Sequence, residues 1–380
     1  MPESPMPTQV RAGAGGALKV VAKIGTSSIT DSSGSLDRRA IARLCADVAG
    51  LRAGGHQVVL VSSGAIAAGL GPLGLAQRRP VDPVTLQAVS AVGQARLMTQ
   101  YDSCLATHDL VAGQVLLAPL DFTNRSQYLH ARRTMARLLA LGVVPVVNEN
   151  DAVADDEIRF GDNDRLAALV SHLVGADLMV ILTDTPGLLT ADPRLDAEAS
   201  LIEEVIEVDH EMERVAGGPG SDRGSGGMAS KLAAAKMAAW SGVPVVIAGA
   251  DRHDVLGAAV RGESGVGTII RARDRRLPAR KLWIAFALAP SGTVVVDDGA
   301  RTALVKTGRS LLPAGVMGVR GEFDVDDAVE IADASGAVFA KGLVRHSSAL
   351  LRRIAGAHTS TLPEDAPHEV VHRDDMVVMA

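Results

Sequence analysis

Four short stretches of this chain gather residue types that could hold and move an anion. Lys23-Ile24-Gly25-Thr26-Ser27-Ser28 sets a lysine at the end of an apolar run, followed by a glycine and three hydroxyl residues. A glycine lets backbone N–H groups approach closely, so the stretch is a natural cradle for phosphate oxygens. It lacks the G-x-x-x-x-G-K-[ST] order of a Walker A loop, and a solvated lysine beside an ordinary turn is the plain alternative. Ser62-Ser63-Gly64-Ala65 closes the run QVVLVS and enters the helical stretch AIAAGL. The N–H groups of that helix start would face an anion or a carboxylate, unless Ser63 is only an N-cap.

The densest polar cluster is Asn148-Glu149-Asn150-Asp151 after VPVV, followed by Phe160-Gly161-Asp162-Asn163-Asp164 at the opening of a helix. Acids and amides grouped in this way can hold an ammonium, orient lysines, or carry Mg²⁺ through water. One of Asp162, Asn163 and Asp164 is expected to cap the helix, and the cluster exceeds what capping needs. Gly224-Ser225-Gly226-Gly227-Met228-Ala229-Ser230-Lys231 ends a loop with six glycines between 217 and 227 and begins an amphipathic helix. Glycines allow backbone N–H groups to wrap an oligophosphate, and Lys231, one turn into the helix, would reach its terminal phosphate. A flexible surface loop is the alternative for the middle of that stretch.

Other constellations fall away. Gly69, Gly71 and Gly74 have the spacing of a dinucleotide fingerprint. They follow a helical stretch instead of a strand, include Pro72, and lack an acid about 20 residues later. There is no Cys/His pairing at zinc spacing and no Ser/His/Asp set near comparable strand ends. His108, His130 and His172 read as surface or packing residues, and any metal is expected to be an oxygen-bound hard ion.

The elements that must position these stretches are legible as alternation. From Leu18 to Arg273 short β-branched runs (LKVVAKI, QVVLVS, VPVVN, LMVILTD, VPVVIA) alternate with amphipathic helical stretches, one of them 37–53 ending at Gly54-Gly55. This pattern predicts an α/β domain, a three-layer αβα sandwich around a largely parallel sheet, with ligands beyond the carboxyl ends of the strands. The polar stretches sit at those ends. RARDRRLPAR is basic, contains a proline and suits a linker over 274–281. Residues 282–366 read as a small β-rich, barrel-like module built from LWIAFAL, GTVVVD, VMGVRG, AVEIAD and AVFAKGLV, with helices near 298–306 and 347–354. Residues 367–380 are set apart as a closing segment, and residues 1–17, rich in Pro and Gly with no signal-peptide-like apolar stretch, as a disordered tail.

Composition bounds the rest. A chain of 380 residues calls for two or three domains. With only five Phe, two Trp and two Tyr, its cores must be aliphatic, and rows of stacked rings on single-stranded nucleic acid are excluded. A net charge of −6 has the wrong sign for coating nucleic acid or acidic membranes. Gln57–Gln77 is uncharged and approaches membrane-spanning length, but its serines, glycines and Pro72 favour a strand and a turn. Cys45 falls on a predicted apolar helix face with Ile41, Leu44, Val48 and Leu51, and both it and Cys104 read as reduced and structural.

Taken in order, VAKIGTSSIT, VSSGAIAAG, PVVNENDAV, FGDNDRLAALV, ILTDTPGLLTADPR, GSGGMASK and VHRDDMVV resemble the amino-acid kinase family, in the branch that carries a C-terminal PUA domain. The match covers nearly the whole chain after the tail, with mild departures at Ser62 and Ala229. The resemblance implies a cytoplasmic enzyme that phosphorylates the γ-carboxylate of L-glutamate with ATP, giving L-glutamyl 5-phosphate for proline biosynthesis. It implies Mg²⁺ carried through phosphates and water with no direct protein ligand, proline as feedback inhibitor, and a homo-oligomer, dimer or tetramer. Lys23 and Lys231 would contact the phosphoryl group, Asp164 would hold both lysines, and Gly64 would supply approach or a backbone donor. Ser63, Asp151 and Asn163 would contact glutamate, with Asp151 pairing the α-ammonium. Lys23, Gly25, Thr26, Thr183, Asp184, Ser225, Gly226, Gly227, Met228, Ala229, Ser230 and Lys231 would hold the nucleotide.

Two other readings compete. One is a sister kinase acting on N-acetylglutamate, aspartate or a nucleoside monophosphate, against which the barrel-like module and Asp151 both argue. The other is RNA binding through the PUA-like module. Residues 282–365 carry eight Lys/Arg against ten Asp/Glu, and phosphate contacts need clustered positive charge.

Overall fold

The computed structural model describes residues 16–76, 80–122, 124–153, 163–192, 196, 198–208, 212, 227–274, 276–286, 288–358 and 367–379. The expected tail (1–15 of it), Phe160, Gly161, Asp162, Ser225 and Gly226 lie outside the described residues. The chain divides into two compact units, 1–276 and 277–380.

The first unit is built on an eight-stranded sheet: β1 (Lys19–Ile24), β2 (Gln57–Ser62), β3 (Ala112–Leu117), β4 (Val144–Glu149), β5 (Leu178–Thr183), β6 (Glu204–Val205), β7 (Val245–Gly249) and β8 (Thr268–Ile270). Their order is β3-β4-β2-β1-β5-β7-β8-β6. Every pairing is parallel except β7 with β8, as the strand–helix alternation predicts. β1 is central, with β2 on one side and β5 on the other. Central parallel strands are covered on both faces, so β1, β2, β4 and β5 are almost wholly buried.

Helices α1 (Thr26–Ile29), α2 (Arg38–Ala53), α3 (Ala65–Leu70), α4 (Pro83–Ala106), α5 (Arg125–Ala140), α6 (Asn163–Val174), α7 (Met228–Trp240) and α8 (Val255–Arg261) follow or link these strands. Asp37 starts α2 by accepting from Arg39 N and Ala40 N, and Ile41, Leu44, Cys45, Val48 and Leu51 form its buried face. α3 and α4 pack backbone to backbone. A Cβ on Gly93 would stand 1.8 Å from Ala65 O, and one on Gly69 2.0 Å from Val89 O. Gly69 thus serves the close contact of α3 with α4.

The second unit holds a five-stranded sheet of β9 (Gly292–Val296), β10 (Val316–Gly321), β11 (Ala328–Ala332), β12 (Val338–Val344) and β13 (Val371–Val378), with α9 (Ala279–Phe286), α10 (Asp298–Thr307) and α11 (Ser348–Ile354). Its core is aliphatic with two phenylalanines, Phe323 and Phe339. Two expectations are corrected here. LWIAFAL forms most of helix α9 instead of a strand, and that helix begins inside the segment read as a linker. A short apolar run does not by itself distinguish a buried helix from a strand. Here Lys281 N and Leu282 N both donate to Pro278 O, starting the turn, and the Lys341 ammonium donates to Leu288 O just past the other end. The closing segment 367–380 is not separate, because β13 pairs antiparallel with β12.

Candidate active site

The parallel sheet brings residues from distant parts of the chain to one edge. Lys23 is the penultimate residue of β1, Asp164 lies in the first turn of α6, and Lys231 lies in the first turn of α7. Lys23 Nζ is 2.5 Å from Asp164 Oδ1, and Lys231 Nζ is 3.6 Å from Asp164 Oδ2. Ser230 Oγ lies 2.9 Å from both the same Oδ2 and Gly227 O, and its one proton can be donated to either. All three charged residues are buried, Asp164 at 1% exposure. Burial pushes the Asp164 carboxyl up, but Lys23 and Lys231 outweigh it and hold the group below the usual carboxylate range. Two ammonium groups held on one desolvated carboxylate present fixed donors at the edge of the sheet.

Beside it lies an arm of amides, hydroxyls and carboxylates. The backbone N–H of Glu149 donates to Asn148 Oδ1 and to Asn163 Oδ1. Because a backbone N–H can only donate, both amides are oriented unambiguously and their nitrogens must donate elsewhere. Asn163 Nδ2 donates to Ser63 Oγ at 3.1 Å and to Asn148 Oδ1 at 3.0 Å, and Asn148 Nδ2 donates to Gln94 Oε1 at 2.7 Å. Gln94 Nε2 is a buried donor without a hydrogen-bond partner among the described residues. Asn163 and Asp164, expected as candidate helix caps, are committed instead to these partners. Asp151 follows β4 in a short 3₁₀ turn and is 8% exposed. Ser90 Oγ donates to its Oδ2 at 2.5 Å. Burial pushes the Asp151 carboxyl above its ordinary value, and the Ser90 hydrogen bond opposes that rise.

The glycines sit where backbone geometry requires them. Gly64 has φ +106° ahead of α3, and a Cβ there would stand 2.7 Å from Ile29 Cδ1. At Gly25 a Cβ would meet the Lys23 ammonium at 3.6 Å. Thr183 ends β5, the neighbour of β1, and its Oγ1 donates to Asp184 Oδ1 at 3.0 Å. Thr26 is exposed at the start of α1, while Gly227, Met228 and Ala229 stand at the start of α7. The structure therefore brings Lys23, Asp164, Ser230 and Lys231 into one bonded cluster and Ser63 with Asn163 into another. Thr183 and Asp184 share the sheet edge without a hydrogen bond to either cluster.

Sequence reasoning missed Ser90 and Gln94, and it left Asn148 in the polar cluster without a role. The signal was present in α4: its buried face runs Val89, Ser90, Gly93, Gln94, Leu97, Tyr101 and Leu105. Two polar residues within an apolar stripe must find buried partners.

Residues 19–249 match the amino acid kinase family and residues 292–364 match the PUA domain. The chain belongs to the amino acid kinase family. Curated relatives narrow the assignment. A glutamate 5-kinase of Pelobacter propionicus is 45% identical over 95% of this chain and 97% of its own length. One of Nitrosospira multiformis is 46% identical over 95% and 98%, and one of Moorella thermoacetica is 44% identical over 96% and 97%. Within that family the chain falls among the glutamate 5-kinases.

Proposed function

We propose that the chain transfers the γ-phosphoryl group of ATP to the γ-carboxylate of L-glutamate, forming L-glutamyl 5-phosphate and ADP in the first step of proline biosynthesis. The single observation that carries the mechanism is the buried Lys23–Asp164–Lys231 cluster at the carboxyl edge of the sheet. A γ-carboxylate, with an ordinary pKa of about 4.3, is already ionised at neutral pH and needs no general base. One of its oxygens bonds to the γ-phosphorus as the bond to the β–γ bridging oxygen breaks, and ADP leaves with that electron pair. Catalysis is then alignment and neutralisation of charge on the equatorial phosphoryl oxygens. Lys23 and Lys231 supply that neutralisation, and Asp164 keeps both ammonium groups in place without competing for a proton.

Ser63 and Asn163 orient the substrate, and Asp151 takes its α-ammonium. Gly25, Thr26, Thr183, Asp184 and the 225–231 stretch hold the nucleotide. Among the described residues no three His, Cys, Asp or Glu side chains group into a metal site. Asp164 is already engaged by lysines, so the donors present fit Mg²⁺ carried by the nucleotide phosphates and water. Mg²⁺ so held would spread phosphoryl charge. A cytoplasmic location, proline as feedback inhibitor and assembly into a dimer or tetramer complete this reading. Among the described residues no helix is long and apolar enough to cross a membrane.

Hydroxylamine trapping of the acyl phosphate tests the reading. With ATP, Mg²⁺ and a panel of glutamate, aspartate and N-acetylglutamate, hydroxamate is expected from glutamate. Hydroxamate from N-acetylglutamate or aspartate but not from glutamate would overturn it.

A further inference from the structure

Asp151 is held in an unusual way. It is a buried carboxylate, and among the described residues its one bonded partner is neutral: the Ser90 hydroxyl, 3% exposed, which donates to Oδ2 at 2.5 Å. Oδ1 has no bonded partner among the described residues. A carboxylate with one oxygen pinned and the other open is poised for a cationic group, and a short hydrogen bond from a fixed donor sets which way the open oxygen faces. The donor is fixed because α4 cannot slide: Gly93, three residues on, packs against the Ala65 carbonyl with no room for a side chain. One turn on, Gln94 anchors Asn148 and through it Asn163. The same helix face therefore grips both halves of the substrate arm.

We infer that Ser90 is a positioning residue for the substrate's ammonium, acting through Asp151: its hydroxyl fixes the carboxylate and leaves Oδ1 to receive the cation. The inference rests on the reading of the chain as a glutamate phosphotransferase. The Ser90 hydroxyl is committed to Asp151 and not to Lys23, Asp164 or Lys231, so its loss falls on glutamate binding and spares both ATP and the chemical step. Hydrogen bonds to charged groups are worth enough for about a ten- to hundredfold change in affinity when one is removed.

Steady-state kinetics of the purified full chain test this, with glutamate and ATP varied in turn. Ser90→Ala should raise KM for glutamate about ten- to hundredfold while kcat and KM for ATP stay within about twofold of wild type. Ser90→Thr, which keeps the hydroxyl, should return KM to near the wild-type value. An unchanged KM for glutamate in Ser90→Ala would overturn the inference. So would equal losses in kcat and both KM values, or failure of Ser90→Thr to restore KM while its melting temperature matches wild type. Absence of hydroxamate from glutamate with the wild-type enzyme would instead overturn the functional reading itself.

Discussion

In the first unit the carboxyl edge of the sheet buries Lys23, Asp164 and Lys231 together, each less than one-tenth exposed. In the second unit the ion pairs lie outside. Arg352 meets Glu322 at 2.8 Å with side chains 41% and 78% exposed, and Arg280 meets Asp375 at 2.7 Å. Its buried lysine, Lys341, reaches the backbone carbonyls of Ala285 and Leu288, as a cation closing a helix end does. Exposed pairs are screened and contribute little, whereas desolvated charges interact strongly and are costly to separate. The contrast is between a desolvated charge cluster buried at the sheet edge of the first unit and the described ion pairs of the second unit, which are balanced near its surface.

The sharpest way to break this contrast is Asp164→Ala. It strands two buried lysines, and breaking a buried pair typically costs about 3–5 kcal/mol. Chemical denaturation should show a loss of that size, with glutamate phosphorylation abolished. Retained turnover in a folded Asp164→Ala enzyme would refute the role given to this carboxylate.

Acid should separate the two arms of the site. Asp164 titrates below the ordinary carboxylate range, so its stabilisation is present above the unfolded value of about 3.9 and is lost as pH falls through the lower folded value. Asp151 titrates above that range and is neutralised first. KM for glutamate should therefore climb on acidification before the fold is lost, as paired kinetic and circular-dichroism titrations would reveal. Simultaneous loss of both would contradict the assignment. At the small end of the scale, Arg280→Ala in the second unit should leave the melting temperature and glutamate turnover within error of wild type.

Much of this was legible beforehand for a physical reason. Strand ends and helix starts carry local signatures, so Lys23, Ser63, Asp151, Asn163, Asp164 and Lys231 could be singled out although parallel pairing alone brings them to one edge. Ser90 and Gln94 were not, because a polar residue inside an apolar helical stripe reads as core until its partner across the interface is seen. α9 was misread because LWIAFAL is apolar throughout and its helix-forming cue is the preceding Pro278. β13 was set apart because its partner, β12, is separated from it in sequence by α11 and the residues up to 370.

The central claim is that Lys231 neutralises the transferring phosphoryl group. Single-turnover rapid quench of Lys231→Ala, with ATP and glutamate saturating, tests it directly. Loss of one donor to a developing anion typically slows the chemical step by about 10²–10³, roughly 2.7–4 kcal/mol, and that slowing is expected with ATP affinity near the wild-type value. A wild-type single-turnover rate accompanied by weakened ATP binding would contradict the account.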